Sequence, residues 1–232
     1  MILLTVFLLT LSTALAEDAP KAWYPAQVPP PFPPERESVG DEYFEDAVFI
    51  GDSAMDDIEM LNLFPTGNFA CLIGMSPLSA SRRQFRVKGS DVAQNVYEVT
   101  KQYPHKKIII LLGGNSLDHK PSKESMEDYT VMIDQMIADF PESVIYVLSP
   151  LPMTEKYMTE KQLPPRRFSN FRESLIALAA ERNLYFLDLY PELTDEGGYM
   201  RPSYNCGDGV HLNRTGYEVV ERIIRTHMID VE

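Results

Sequence analysis

After residue 44, short apolar runs alternate with longer segments in which apolar residues recur every three to four positions. The strongest run, in Lys107–Leu112, has no polar alternation, which is typical of a parallel strand buried on both faces. Shorter runs predict four further strands, at Ala47–Ile50, Phe69–Ile73, Val144–Leu148 and Leu184–Leu187. The pattern therefore predicts five strands.

The segments between these strands have the periodicity of helices. We predict helices over Met55–Leu63, Asp91–Lys101 (with Ser90 as a possible N-cap), Lys123–Asp139, Arg167–Arg182 and Thr215–Thr226. In the third of these, one face is formed by Met126, Tyr129, Ile133, Met136 and Ile137. Five strands separated by helices predict an α/β domain over residues 44–232, with a parallel sheet covered by helices on both faces.

The first 43 residues have a different pattern. Residues 1–16 are apolar and end in Ala14-Leu15-Ala16, which predicts a signal peptide cleaved after Ala16 and a secreted protein. An uncleaved membrane anchor is the alternative, although the run is short for a bilayer span. Residues 17–43 are too rich in proline for a helix or a central strand, and we expect an extended linker. It would act either as a spacer or as a loosely packed leader.

Charge and cysteine content exclude several classes of partner and site. The net charge of −13 is spread along the chain and repels polyanions, so we expect no nucleic-acid partner. Beyond residues 1–16 no segment is long and apolar enough to predict a membrane span. The two cysteines, Cys71 and Cys206, form neither a disulfide framework nor a metal cluster. Because they lie in distant segments, we expect two free thiols, with a single disulfide as the alternative.

Residues that can carry chemistry follow the predicted strands. Gly51-Asp52-Ser53 follows the first strand, Gly74 the second and Gly113-Gly114-Asn115 the third, and Asp208-Gly209-Val210-His211 comes after the fifth. Ligands of parallel α/β sheets bind beyond the carboxyl ends of the strands, so these segments should meet at one edge.

These residue types suit acyl transfer. A serine hydroxyl such as Ser53 is a poor nucleophile until a base removes its proton, and the imidazole of His211 is such a base. Asp208 can accept a hydrogen bond from the other ring nitrogen and fix the tautomer. The backbone N–H groups of Ser53 and Gly74 and the side-chain amide of Asn115 are candidate donors to the oxyanion.

The same blocks resemble those of the SGNH (GDSL-like) hydrolase family. Residues 48–53, Val-Phe-Ile-Gly-Asp-Ser, are similar to its nucleophile block, and Gly74, Gly113-Gly114-Asn115 and Asp208-x-x-His211 are similar to its other three blocks, in the family's order. The resemblance implies a flavodoxin-like, three-layer α/β/α fold and hydrolysis of esters or carbohydrate esters without metal or cofactor. The chain departs from the family pattern at Ser116, where an acidic residue is usual, and Asp118 lies close enough in sequence to compensate.

Other polar residues have simpler interpretations. We expect Asp52 to form structural hydrogen bonds, His119 to lie at the rim of the site, and His105 and His227 to be surface residues. Arg82, Arg83 and Arg86 form a basic stretch that is either solvated or in contact with substrate. Asn213 belongs to a glycosylation sequon and is also placed to start the last helix.

The sequence leaves the substrate open. The segments Ser76–Gly89 and Pro150–Pro165 should overhang the site, and neither is strongly apolar. We therefore expect an enzyme that removes short acyl groups, such as acetyl, from carbohydrate or cell-wall glycan. The sequence does not determine the oligomeric state, and we expect a monomer. The alternatives are an acyl hydrolase of the lysophospholipase or thioesterase type, and a catalytically silent carbohydrate-binding module with the same fold.

Overall fold

The computed structural model describes residues 19–86 and 91–231, so the predicted signal peptide and Ser90 lie outside the described residues. A single sheet of five parallel strands contains β1 (Ala47–Gly51), β2 (Asn68–Cys71), β3 (Lys107–Leu111), β4 (Val144–Leu148) and β5 (Tyr185–Leu187). Their order is β2-β1-β3-β4-β5. The predicted α/β fold with a five-stranded parallel sheet is confirmed.

The centre of the sheet is fully enclosed. Every residue of β1, β3 and β4 is buried, and β1 pairs with β3 from Ala47 opposite Lys107 to Gly51 opposite Leu111. The chain moves outward from β1 to β2 and then returns past β1 to β3. This reversal leaves a crevice beyond the carboxyl ends of β1 and β3, which is where doubly wound sheets bind their ligands.

Helices cover both faces of the sheet. They are α1 (Ser53–Met60), α2 (Pro77–Ala80), α3 (Val96–Thr100), α4 (Gly114–His119), α5 (Ser122–Asp139), α6 (Glu155–Glu160), α7 (Arg166–Arg182), α8 (Tyr190–Leu193) and α9 (Arg214–Thr226), with 3-10 turns at Asp41–Phe44 and Pro202–Tyr204. One core cluster contains the buried apolar residues of α5 and α7, and the other those of α1 and α9. The structure is therefore the three-layer sandwich that the resemblance implies.

The predicted helix over Asp91–Lys101 is too long. The helix starts at Val96, because Asn95 and Glu98 form a capping box: the Asn95 side chain accepts from the Glu98 N–H, and Glu98 accepts from the Asn95 N–H. The short helices α2, α4, α6 and α8 lie in segments for which no helix was predicted, since one or two turns are too short to show a hydrophobic period.

The proline-rich segment is extended, but it packs against the domain. Ala22 is buried and donates its N–H to the carbonyl of Arg182, and the Pro31 carbonyl accepts the N–H of Phe186 in β5. Further along, the Arg36 N–H bonds to the Thr226 carbonyl in α9. Within the described residues this segment is neither a free spacer nor a loose leader.

Among the described residues, no helix is long and apolar enough to cross a bilayer. Cys71 and Cys206 are free thiols, as expected.

Candidate functional site

Ser53, His211 and Asp208 form one hydrogen-bonded chain. Ser53 Oγ lies 2.8 Å from His211 Nε2, and His211 Nδ1 lies 2.5 Å from Asp208 Oδ2. The structure thus brings together three residues that are up to 158 positions apart in sequence. Since Nδ1 faces a carboxylate, it carries the ring proton, and Nε2 is left to accept the serine proton.

The turn after β1 places Ser53 at the mouth of the crevice. Ser53 is the first residue of α1, and Asp52 caps this helix by accepting the Ala54 N–H on Oδ1 at 3.1 Å. Gly51 fits here because a Cβ would lie 2.3 Å from the Met55 Cβ and 2.9 Å from the Leu111 carbonyl. As a first-turn residue of the helix, Ser53 has a backbone N–H without a helical partner, which suits an oxyanion donor.

The loop before α9 holds Asp208 and His211. Partial burial opposes ionisation of Asp208, but hydrogen bonds from the His211 ring and from the backbone N–H groups of His211 and Val210 outweigh it and hold the pKa of Asp208 well below its usual range. Gly209 has a φ of +90° and lies so close to α6 that a Cβ would meet the Cβ of Tyr157 at 2.7 Å. The loop therefore presents an ionised aspartate that orients the imidazole.

Asn115 lies at the same site, but its amide is already engaged. Nδ2 donates to Asp52 Oδ2 at 2.8 Å and to the Met75 carbonyl at 3.0 Å. Both amide hydrogens are therefore held, and Asn115 reaches an oxyanion only through a hydrogen that it shares with one of these acceptors. Its role as an oxyanion donor stays a prediction.

Gly74 lies in the turn that follows β2, with a φ of +70° that favours glycine. It directly precedes Met75, the residue whose carbonyl accepts from Asn115. Gly74 is not among the residues that line the cavity beside Ser53. Its predicted role as an oxyanion donor also stays a prediction.

A cavity of about 90 Å³ opens beside Ser53 and His211. Its apolar wall is formed by Leu111, Leu112, Pro150, Leu151, Met153 and Val210. Two polar residues, Asp118 and Tyr157, also line it, and the Tyr157 hydroxyl donates to Asp118 Oδ1 at 3.2 Å. The segment Pro150–Pro165 therefore overhangs the site as predicted, whereas no described residue of Ser76–Gly89 lines the cavity.

Tyr157 and the Met75 carbonyl are site groups that the sequence reasoning missed. Tyr157 lies in a segment without a family block, and a backbone carbonyl carries no signal in the residue type. The sequence pattern marks Asp118 only as a substitute for the acidic residue that Ser116 replaces. Ser116 itself is buried in α4 and lies outside the cavity lining.

The remaining polar residues have structural or surface positions. Asp52 is the structural hydrogen-bonder expected, and Asn213 caps α9 by accepting the Gly216 N–H. His119 is exposed at the rim, with Nε2 3.6 Å from Asp118 Oδ2. Arg83 donates to the Ile73 carbonyl, outside the cavity.

Where the structure describes the chain, no group of three or more histidine, cysteine, aspartate or glutamate side chains is arranged to hold a metal ion.

Comparisons with solved structures agree with this architecture. A protein from Streptococcus pneumonia, provisionally described as a platelet activating factor, is 22% identical, with 77% of this chain and 81% of that chain covered and a TM-score of 0.61. A GDSL-like lipase from Bacteroides thetaiotaomicron is 18% identical, with coverage of 78% and 86% and a TM-score of 0.61. The OSK domain of Drosophila Oskar is 18% identical, with coverage of 83% and 94% and a TM-score of 0.56. At these identities the likeness shows the fold.

No curated protein matches the chain. The model of the GDSL-like Lipase/Acylhydrolase family matches residues 49–219, which include Ser53, Asn115, Asp208 and His211. A match over this much of the chain settles its family: the protein belongs to the GDSL-like lipases and acylhydrolases.

Proposed function

We propose that the protein is a serine ester hydrolase that removes short acyl groups, with Ser53 as nucleophile, His211 as general base and Asp208 as its orienting partner. The observation that carries this proposal is the hydrogen-bonded chain from Asp208 through His211 to Ser53 at the crevice beside β1 and β3.

The geometry supports a two-step acyl transfer. His211 Nε2 accepts the proton of Ser53 Oγ as the oxygen attacks the ester carbonyl. The imidazolium formed is stabilised by the ionised Asp208, and it returns the proton to the departing alcohol. In the second step His211 accepts a proton from water as the water oxygen attacks the acyl group on Ser53. The proton then passes to Ser53 Oγ as the carboxylic acid leaves.

Ser53→Ala tests the nucleophile. We expect turnover of p-nitrophenyl acetate and labelling by a fluorophosphonate probe to fall to background, since only an activated serine reacts with the probe. The thermal melting temperature should stay close to that of the wild type, because the hydroxyl lies at a cavity and its loss leaves no hole in the core. Labelling of the Ser53→Ala variant at the wild-type rate would place the nucleophile elsewhere.

The size of the cavity favours a short acyl chain. An apolar cavity of about 150 Å³ holds a benzene molecule, so a cavity of about 90 Å³ suits an acyl group of roughly two to four carbons. A chain of twelve carbons would have to extend beyond this cavity. This supports acetyl or butyryl esters over the acyl chains of a lysophospholipase.

A series of p-nitrophenyl esters tests this preference. We expect kcat/KM to be highest for acetyl or butyryl and to fall by at least about tenfold at longer chains, because a methylene that does not fit the cavity clashes with its wall, and one methylene in an apolar pocket changes the activation free energy by about 1–3 kcal/mol. A kcat/KM that rises steadily to about twelve carbons would support the lysophospholipase alternative instead.

For the alcohol part of the substrate we propose a carbohydrate or cell-wall glycan. The hydroxyl of Tyr157 and the carboxylate of Asp118 at the cavity are groups that hydrogen-bond to sugar hydroxyls. Acetylated sugars should therefore be hydrolysed with a higher kcat/KM than acetylated simple alcohols. A silent carbohydrate-binding module would instead bind glycans while failing to react with the fluorophosphonate probe.

We also propose that the protein is exported and that cleavage follows Ala16. The support is the apolar run that ends in Ala14-Leu15-Ala16 before a charged, proline-rich stretch. Mass spectrometry of exported protein should find Glu17 at the N-terminus, and secreted material that retains Met1 would contradict the proposal.

A further inference from the structure

The carboxylate of Asp52 is buried beside the nucleophile, although the acyl transfer itself does not use it. Asp52 is only 6% exposed, and each of its oxygens accepts one hydrogen bond, Oδ1 from the Ala54 N–H at 3.1 Å and Oδ2 from Asn115 Nδ2 at 2.8 Å. Burial of a carboxylate is unfavourable, and here it raises the pKa of Asp52 to about 6. Ionisation of Asp52 is therefore less favourable in the folded protein than in the unfolded chain, which calls for a reason in function.

Asp52 decides how the amide of Asn115 is oriented. Nδ2 has two hydrogens, and Asp52 and the Met75 carbonyl accept one each. If the amide turned around, its oxygen would face two acceptors, so only one orientation is stable. Because Asn115 lines the cavity with Ser53, the position of its N–H groups at the reacting centre depends on Asp52.

These hydrogen bonds link the ends of three neighbouring strands. Met75 comes after β2, Asp52 after β1 and Asn115 after β3, and the three strands lie side by side in the order β2-β1-β3. The same carboxylate caps α1, whose first residue is Ser53. One side chain thus fixes the nucleophile's helix and the amide at the cavity with respect to each other.

We propose that Asp52 is a positioning residue for ester hydrolysis, which holds Ser53 and the Asn115 amide in register through its two carboxylate oxygens. This inference rests on the proposed esterase function. A carboxylate offers an acceptor on both sides, whereas the amide of Asp52→Asn has the same shape and only one acceptor oxygen. That variant must either lose the cap on α1 or set its own N–H groups against those of Asn115.

Steady-state kinetics with p-nitrophenyl acetate test the proposal on Asp52→Asn, Asn115→Ala and the double variant. We expect each single change to lower kcat by about 10- to 100-fold, since small displacements of reacting groups have effects of this size, and to leave KM within about twofold. The kcat of the double variant should lie within about threefold of that of the less active single variant, because both changes break the same hydrogen bond. Independent roles would multiply the two losses and would contradict the proposal.

Asp52→Ser separates the two contacts. A serine oxygen can still cap α1, but the side chain is too short to reach Asn115, so kcat should fall as in Asp52→Asn. Asp52→Ser also serves as the test of the proposal if thermal melting shows that Asp52→Asn does not fold. The matched control is Asp195→Asn. Asp195 also accepts hydrogen bonds from backbone N–H groups, those of Gly197 and Tyr199, and the kcat of this variant should equal that of the wild type.

The outcomes separate this inference from the function on which it rests. If the wild type neither turns over esters nor reacts with the fluorophosphonate probe, both fall. If the wild type is active and the two Asp52 variants match its kcat, only the positioning role is overturned.

Discussion

Two aspartates at the site have pKa values that move in opposite directions, and the cause is their surroundings. Asp208 is partly exposed and accepts three hydrogen bonds from the His211 ring and two backbone N–H groups, which lower its pKa. Asp52 is enclosed, and desolvation raises its pKa to about 6 although it accepts two hydrogen bonds. Asp208 is therefore ionised throughout the neutral range at little cost, whereas Asp52 is ionised there at the expense of stability.

This difference predicts how stability depends on pH. In the folded protein Asp52 binds a proton below about pH 6, whereas in the unfolded chain it binds one only below about pH 3.8. Between these two values the folded state binds more protons than the unfolded state, so the free energy of unfolding decreases as pH rises. Relative to Asp52→Asn, the wild type should lose up to about 3 kcal/mol of unfolding free energy between about pH 4 and pH 7. Urea unfolding of both proteins across this range measures the difference.

Comparison with the variant cancels the titration of groups that do not interact with Asp52. His211, Cys71 and Tyr217 interact electrostatically with the carboxylate and are present in both proteins, so the difference measures Asp52 together with their response to its charge. A difference between the two proteins that is constant with pH, or that changes in the opposite direction, would contradict the raised pKa.

The sequence predicted which side chains the structure brings together at the candidate site, wherever the residue type itself carries the chemistry. Ser53, Asp208 and His211 could be named because a hydroxyl, a carboxylate and an imidazole follow strand ends in a known order. The hydrogen bond between Asp52 and Asn115 could not be predicted, because it depends on the depth at which each side chain is buried and not on the residue types alone.

At the scale of elements, the strands and long helices were predicted closely and the short helices were not. Val144–Leu148 has the predicted bounds, and α5, α7 and α9 each begin one residue before the predicted start. Their apolar faces are long enough to define a period. The four-residue helices α2 and α8 have no such period, and local caps and tertiary contacts decide them.

The cap of α9 lies two residues after His211 and gives a test at this scale. Asn213 accepts the Gly216 N–H at 3.0 Å and donates to the Ser203 carbonyl at 2.8 Å. We expect Asn213→Ala to lower the unfolding free energy by about 1 kcal/mol, which corresponds to roughly 2–4 °C in melting temperature for a domain of this size. Asn213→Ser keeps a capping oxygen and, like Asn213→Ala, loses the bond to Ser203, so it is the control, and equal melting temperatures for the two variants would exclude a capping role.

At the scale of the whole molecule, the proline-rich segment closes one edge of the sheet. β5 is an edge strand, and its Phe186 N–H donates to the carbonyl of Pro31 at 2.7 Å. Unpaired edges invite association with other chains, and a proline carbonyl satisfies the edge without offering an N–H to a further strand. The composition predicted that the segment is extended but not that it packs against the domain. Proline content determines the backbone angles of a segment, whereas packing depends on the surface that the segment contacts.

Two variants of equal charge test whether this segment is docked in solution. Ala22 is 4% exposed and packs in the core cluster that contains Val48 and Ile50, whereas Gln27 is exposed five positions later in the same segment. A buried, unpaired carboxylate is unfavourable, so Ala22→Glu should detach the segment and lower the melting temperature by several degrees, at roughly 2–4 °C per kcal/mol. Gln27→Glu adds the same charge at the surface and should leave melting unchanged. Detachment should also make the segment more sensitive to limited proteolysis in Ala22→Glu. The kcat of folded protein should be retained, because Ser53 follows β1 and both β3 and β4 lie between β1 and the β5 edge. Equal melting and equal proteolysis of the two variants would mean that the segment is a free linker after all.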